Sequence, residues 1–254
     1  KIDFERGVVN IGGAEYPMKD MNFPTIDHND PYKLTDEERE LMDSLKVSFL
    51  NSEKLDRHIR LMYTKGSLYK ICNSNLLYHA SIPMTAEGEF KKVTIQGETY
   101  SGRSLLDKID QLVREAYFLG ESNKQREFAV DFMWYLWCGP DSPLFDKDQM
   151  TTFERYFIAD KATHKERKGA YYTLMSDEDI CLKILHEFGI DKDEHSHIIN
   201  GHIPVKTIKG ETPIRANGRL LVIDGGFSKA YQPETGIAGY TLVFNSYGLS
   251  LIQH

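Results

Sequence analysis

Apolar and polar positions recur along this chain with two different periods, and each change of period marks an element. Gly7-Val8-Val9-Asn10-Ile11-Gly12-Gly13 alternates between glycines, so residues 1–18 read as two short strands about a turn. Residues 22–32 are polar and contain Pro24 and Pro31, the composition of an ordered loop. Thr35-Asp36-Glu37-Glu38 is a capping box that opens a helix running to about Leu50. A second helix starts after Ser52, places Leu55, Ile59 and Met62 on one face and stops at Gly66.

Residues 68–71 and 76–78 form a strand pair about Asn73-Ser74-Asn75, and residues 91–100 a hairpin turning at Gln96-Gly97. Residues 103–119 have helical periodicity with Gly120 as a stop. Residues 125–137 are apolar on most sides, with Phe128, Phe132, Met133, Trp134, Leu136 and Trp137, which predicts a buried helix. A turn-rich stretch (138–148), a short helix (152–158) and a polar, basic, exposed loop (162–170) follow. Ser176, with Asp179 three residues later, caps a helix that ends at Gly189. Strands then dominate, at 197–200, 219–224, 240–245 and 249–253, the last two joined at Tyr247-Gly248. With no repeat, low-complexity tract or evident linker, residues 1–254 read as one α/β (α+β) body.

Composition narrows the function classes. A formal charge of −7 argues against a general nucleic-acid binder. No apolar run approaches a membrane span, and no signal-peptide pattern opens the chain. The cysteines Cys72, Cys138 and Cys181 are odd in number and far apart, which fits a reducing cytoplasm and offers neither a disulfide framework nor a cysteine-type zinc site. Cys138 follows Trp137 in an aromatic segment, where packing or a reactive thiol are the two readings. The chain opens at Lys1 directly into the hairpin pattern, which reads as a processed or truncated chain.

Two segments share one design. Leu76-Leu77-Tyr78-His79-Ala80-Ser81-Ile82-Pro83 and Ile198-Ile199-Asn200-Gly201-His202-Ile203-Pro204 are apolar runs that end in a histidine followed closely by Ile-Pro. Each places a histidine where a strand leaves the core, the region where ligand sites gather in open α/β sheets. A lone histidine there is more often a hydrogen-bonded structural residue; the repeated context brings the metal-ligand reading level with it. His195 and His197, two apart on a strand, have no further ligand nearby and read as a solvated strand start.

Several stretches resemble a known family. Tyr78-His79-Ala80-Ser81-Ile82-Pro83 is similar to the late histidine motif of calcineurin-like metallophosphoesterases. Trp134-Tyr135-Leu136-Trp137-Cys138-Gly139-Pro140 resembles the Leu-Trp-x-x-Pro segment of their Ser/Thr protein phosphatase and diadenosine tetraphosphatase branch, and Asn200-Gly201-His202 the histidine motif that closes their metal site. The likeness is much closer to the class III fructose-1,6-bisphosphatases of bacteria. It is carried by Phe23-Pro24-Thr25-Ile26-Asp27, by Phe49-Leu50-Asn51-Ser52-Glu53-Lys54-Leu55, by Asn200-Gly201-His202-Ile203-Pro204-Val205-Lys206, and most specifically by Leu221-Val222-Ile223-Asp224-Gly225-Gly226-Phe227-Ser228-Lys229-Ala230-Tyr231-Gln232. It spans essentially the whole chain.

The resemblance implies the C-terminal part of a metallophosphoesterase β-sandwich flanked by helices, with family-specific insertions at 1–34 (hairpin and loop) and 85–101 (hairpin). It implies His79 and His202 as ligands of one metal of a pair, Mn²⁺ or a similar divalent ion, and cytoplasmic hydrolysis of the 1-phosphate of fructose 1,6-bisphosphate in gluconeogenesis. The superfamily's early motifs, Asp-x-His, Gly-Asp-x-x-Asp-Arg and Gly-Asn-His-Asp, are absent; they and the catalytic residues are expected N-terminal to Lys1. Pro204 stands where many members have a second ligating histidine, which the protein-phosphatase branch also lacks. With only two ligands the chain alone is expected to bind Mn²⁺ weakly and to turn over little substrate.

Arg167 and Lys168, which precede Gly169, together with Lys206 and Lys229 are the candidate holders of substrate phosphate; for each the other reading is a solvated surface cation. Asp224 either orients a ligand or a histidine, or caps the turn before Gly225-Gly226, its more ordinary role. Three alternatives stay open: a protein phosphatase or a dinucleotide polyphosphate phosphatase of the same superfamily, or a non-catalytic assembly or regulatory piece, with a homo-oligomer compatible with any of them.

Overall fold

A computed structural model of the protein describes residues 1–191 and 195–254. Its contacts gather into two compact units, one of residues 1–66 and 150–166 and the other of residues 67–149 and 167–254. No change of composition marks the three crossings between them, which is why the hydropathy pattern of residues 1–254 reads as a single body.

The first unit opens with the antiparallel strands β1 (Ile2–Asp3), β2 (Val8–Ile11) and β3 (Ala14–Pro17). Two strands are expected from the pattern; the third, β1, is only two residues long and carries no alternation to read. Gly12 and Gly13 turn β2 into β3 with φ of 58° and 89°, a hairpin conformation that glycine adopts without a side-chain clash. Aromatic contacts order the proline-containing loop: Phe4 stacks on His28 and Phe23 packs on Phe157 of the short helix Thr152–Phe157.

Thr35 and Glu38 close the predicted capping box, with Glu38 N 3.2 Å from Thr35 Oγ1 and Thr35 N 2.9 Å from Glu38 Oε2, and start α1 (Asp36–Leu50). Ser52 caps α2 (Glu53–Lys65). Neither helix has a buried residue. In the loop read as exposed, Thr163 is the exception: it is buried and its hydroxyl donates to Asp160 O.

In the second unit β4 (Tyr69–Cys72) and β5 (Asn75–Tyr78) turn at Asn73 and Ser74, with φ of 51° and 58°. A separate hairpin, β6 (Val93–Ile95) and β7 (Glu98–Tyr100), turns at Gln96-Gly97 as predicted. Then come β8 (His197–Asn200), β9 (Ile214–Arg215), β10 (Leu220–Val222) and the terminal hairpin β11 (Tyr240–Asn245) and β12 (Gly248–Gln253). The main sheet has the order β4-β5-β8-β10-β9. Its middle strands β5, β8 and β10 are parallel, and its outer strands β4 and β9 pair antiparallel. Near-continuous apolar runs suit such interior parallel strands; Leu76, Ile198, Leu220 and Val222 are all buried in one cluster.

The helix Glu178–Glu187 brings Cys181, Ile184 and Leu185 into that cluster. Its cap is Asp177 rather than Ser176, with Asp177 Oδ1 2.8 Å from Asp179 N. A carboxylate accepts more strongly at the positive end of a helix than a hydroxyl does.

Helices α3 (Gly102–Phe118) and α4 (Lys124–Cys138) form a second cluster through Leu105, Ile109, Leu112, Ala129 and Leu136. Here the expected all-round burial of α4 is corrected. Only Ala129 and Leu136 of α4 are buried, whereas Trp134 is 66% and Trp137 58% exposed. One neighbouring helix covers one face, and helical periodicity cannot say how many faces a fold will cover.

Candidate functional site

The parallel register Leu77↔Ile199 sets the ends of β5 and β8 side by side. The next residues join directly, Gly201 N donating to His79 O at 2.9 Å. His202 then leaves the strand in the left-handed region, φ 68°, an uncommon conformation for a residue with a side chain. The result is an imidazole pair, with His79 Nε2 3.1 Å from His202 Nδ1 and the ring centroids 4.9 Å apart.

The third parallel strand contributes Asp224. Ile223 N donates to Asn200 O and Val205 N to Asp224 O, so the exit of β10 is tied to both sides of the His202 turn. Gly201 lies against Asp224, where a Cβ would stand in ordinary contact, 3.4 Å from Asp224 Cβ and 3.6 Å from Asp224 Oδ2. The backbone of Asp224 bridges Gly239 while its carboxylate acts on both imidazoles. Burial pushes His79 below the ordinary histidine value, with Asp224 opposing. Burial likewise lowers His202, helped by His79 and by Lys147 and Lys168, again against Asp224. Both effects favour neutral rings, the form whose nitrogen lone pairs can bind a metal.

A buried polar network holds the two strand ends from beneath. The hydroxyls of Tyr78 and Tyr171 are 2.7 Å apart, and Asn200 Nδ2 donates to Tyr171 Oη at 2.7 Å and to Ala80 O at 3.2 Å. Tyr78 and Asn200 each lie within two residues of a site histidine. Tyr171, 1% exposed, has no such neighbour in sequence and follows a basic stretch, so its structural role is not legible there.

The candidate cations separate. Lys168 lies opposite Lys147 across an antiparallel bridge, and its ammonium is lowered first by burial and then by Lys147 and Lys206, with Arg215 adding and Glu211 opposing. Lys206 donates its backbone N–H to Glu211 Oε2 at 3.0 Å, and Arg215 Nη2 lies 3.7 Å from the same oxygen. Lys206 thus bears electrostatically on Lys168, as do two cations that sequence reasoning missed, Lys147 and Arg215. Neither belongs to a motif; Lys147 is set against Lys168, distant in sequence, and Arg215 pairs with the nearby Glu211.

Arg167 is 90% exposed on its side chain and sits 4.0 Å from Asp148. Lys229 is exposed ahead of the short helix Gln232–Thr235. Among the described residues no hydrogen bond or ion pair joins either side chain to the histidines. His197 bonds Gly218 O through Nδ1 at the start of β8, the end opposite His202.

Two cis ligands, each about 2.1 Å from a shared metal, have nitrogens roughly 3 Å apart. At 3.1 Å, His79 Nε2 and His202 Nδ1 are at hydrogen-bond distance from each other and also within the spacing of cis ligands. Among the described residues no group of three or more His, Cys, Asp and Glu side chains is arranged to hold a metal. The pair by itself offers two nitrogen donors.

Residues 1–254 match the family model described as Firmicute fructose-1,6-bisphosphatase. The class 3 fructose-1,6-bisphosphatase of Bacteroides fragilis is 64% identical over 254 residues, that of Bacteroides thetaiotaomicron 63% and that of Clostridium novyi 59%. Each match covers 100% of this chain, and the chain spans 38% of the length of each of these curated relatives. No solved structure matches the chain.

Proposed function

This chain belongs to the Firmicute fructose-1,6-bisphosphatase family, and from that membership we propose that it forms one side of a site that hydrolyses the 1-phosphate of fructose 1,6-bisphosphate. The observation that carries this reading to residues is the imidazole pair, 3.1 Å apart at the ends of two parallel strands. We read the second unit as part of a calcineurin-like metallophosphoesterase body.

In this reading His79 Nε2 and His202 Nδ1 hold a divalent metal, for which Mn²⁺ suits mixed imidazole, carboxylate and water ligation. Bound there, the metal supplies Lewis-acid polarisation of the phosphoryl group. Asp224 keeps both imidazoles in place from the exit of β10. Lys168, reached through the Lys147 bridge, and Lys206 bind phosphate oxygens as point charges. Arg167 and Lys229 have less support, since the cluster assembles without them.

We place the reaction in the cytoplasm, where a sugar bisphosphate of gluconeogenesis is found; among the described residues no helix is long and apolar enough to cross a membrane. A homo-oligomer is supported by α1 and α2, which have no buried residue yet expose Leu41, Met42, Phe49, Leu61 and Met62.

The test is steady-state hydrolysis by the complete protein, compared across fructose 1,6-bisphosphate, a phosphopeptide and diadenosine tetraphosphate. The expected result is a preference for the sugar bisphosphate. A preference for the phosphopeptide would overturn the assignment.

A further inference from the structure

Asp146 is the one acidic residue among the described residues that is buried, at 2% exposure. It closes the turn that follows α4. Its N–H donates to Ser142 O at 2.8 Å, and its backbone lies in the left-handed region, φ 45°, which Asp tolerates better than most residues. Its carbonyl accepts from Gly169 N at 2.8 Å, and its carboxyl group lies directly against Gly169, where a Cβ would overlap it. Gly169 O accepts in turn from Tyr172 N at 3.2 Å, and Ser81 N donates to Pro143 O at 3.2 Å. These backbone bonds fix the carboxyl group between the segment that leaves β5 and the short helix Tyr171–Leu174.

Three buried oxygens of these segments have no hydrogen-bond partner: Asp146 Oδ2, Ser81 Oγ and Tyr172 Oη. No cation answers the carboxyl group either. Lys91, which acts on it, is bonded to Asp141 Oδ1 at 2.6 Å. Lys147, next in the chain, has its ammonium 5.3 Å from the Phe145 ring centre, and Lys168 has its own 5.7 Å from that of Tyr172. Asp141 is a like charge and opposes a second one. A buried carboxylate with a bare oxygen and no paired cation is costly, and a proton is the smallest group that removes the charge. In agreement with this packing, burial pushes the Asp146 carboxyl above the ordinary aspartate value; Asp141 adds to the effect, against the Ser81 hydroxyl and Lys91.

We infer that Asp146 is held as a neutral carboxylic acid in the folded protein, and that its proton clamps the turn after α4 to the Gly169–Leu174 segment. Release of that proton to solvent leaves an unpaired charge inside the contact and loosens it. The clamped segment carries Tyr171, whose hydroxyl is bonded to Tyr78 and Asn200, so the proton is linked to the network under the strand ends.

The experiment is hydrogen exchange by mass spectrometry on the complete protein, wild type against Asp146→Asn, at matched pH, followed in peptides covering residues 142–148 and 167–174. The closed form binds a proton that the opened form has released. Wild-type protection of these peptides should therefore decline, relative to the variant, as pH rises above about 4, the ordinary aspartate value. Asparagine has the same shape and no proton to lose, so the ratio of wild-type to Asp146→Asn protection should fall roughly tenfold between about pH 4 and about pH 7. Peptides from α3 should keep a constant ratio. Asp146→Ala should lose protection by a factor that does not grow with pH, and wild type should decline against it in the same way, so the result does not depend on one variant folding. A ratio that stays constant across this range, or wild type gaining on the variants as pH rises, would overturn the inference.

Discussion

His79 Nε2 and His202 Nδ1 meet at 3.1 Å although 123 residues separate them in sequence. Adjacent parallel strands bring them together, and the left-handed backbone at His202 turns the second ring toward the first. Changes to the outer partners of a metal ligand alone cost 10–100-fold in affinity or activity, so removing a ligand should cost roughly 100-fold or more. His79→Ala and His202→Ala in the complete protein should each show that loss in hydrolysis, together with weakened Mn²⁺ binding by calorimetric titration. Wild-type Mn²⁺ affinity in both variants would remove the pair from the metal site.

Tyr171→Phe should destabilise the protein by about 1–3 kcal/mol, the cost of leaving buried polar groups unpaired. It removes the partner of the Tyr78 hydroxyl and one of the two acceptors of Asn200 Nδ2. Urea unfolding followed by circular dichroism measures it; an unchanged midpoint would mean the network holds nothing in place.

Gly169→Ala should cost about 1–3 kcal/mol by overpacking. A Cβ at 169 would overlap the Asp146 carboxylate, which is 2% exposed and has little room to move. Because the two changes share one contact, the Asp146→Ala/Gly169→Ala double variant should be less destabilised than the sum of the single variants. Strict additivity in thermal unfolding would contradict the packing.

Burial pushes the Cys181 thiol up from 9.0 to about 12, with Asp177 and Glu178 adding to it. The native state therefore keeps a proton that the unfolded state has lost. This contribution to stability is complete below the unfolded value and declines as pH rises from about 9 toward 12. Cys181→Ala should flatten that alkaline decline in the unfolding midpoint. Iodoacetamide at pH near 8 should label the exposed Cys72 and spare Cys181 until the protein unfolds, as peptide mass mapping would show.

What could be read from residues alone had short-range causes. The Thr35–Glu38 box, the Ser52 cap and the Gln96-Gly97 turn all formed where the local pattern put them. The choice of Asp177 over Ser176 was missed because the two are adjacent and either can accept the same N–H groups. The exposed face of α4 was missed because a run of aromatics reports the tendency to be buried, not the supply of partners to bury it.

By itself, then, the sequence determined the family, the positions of most helices and hairpins, and two histidines at strand ends, because caps, turns and strand-terminating prolines act over a few residues. Only the tertiary structure decided that these histidines touch, that the exit of β10 at Asp224 is tied to the His202 turn, that Tyr171 and Asn200 bond beneath them, and that Lys147 lies opposite Lys168 while Arg167 sits beside Asp148. Those relationships depend on which strands become neighbours and in what register. A shift of one residue in either strand would carry every side chain to the opposite face and separate the pair.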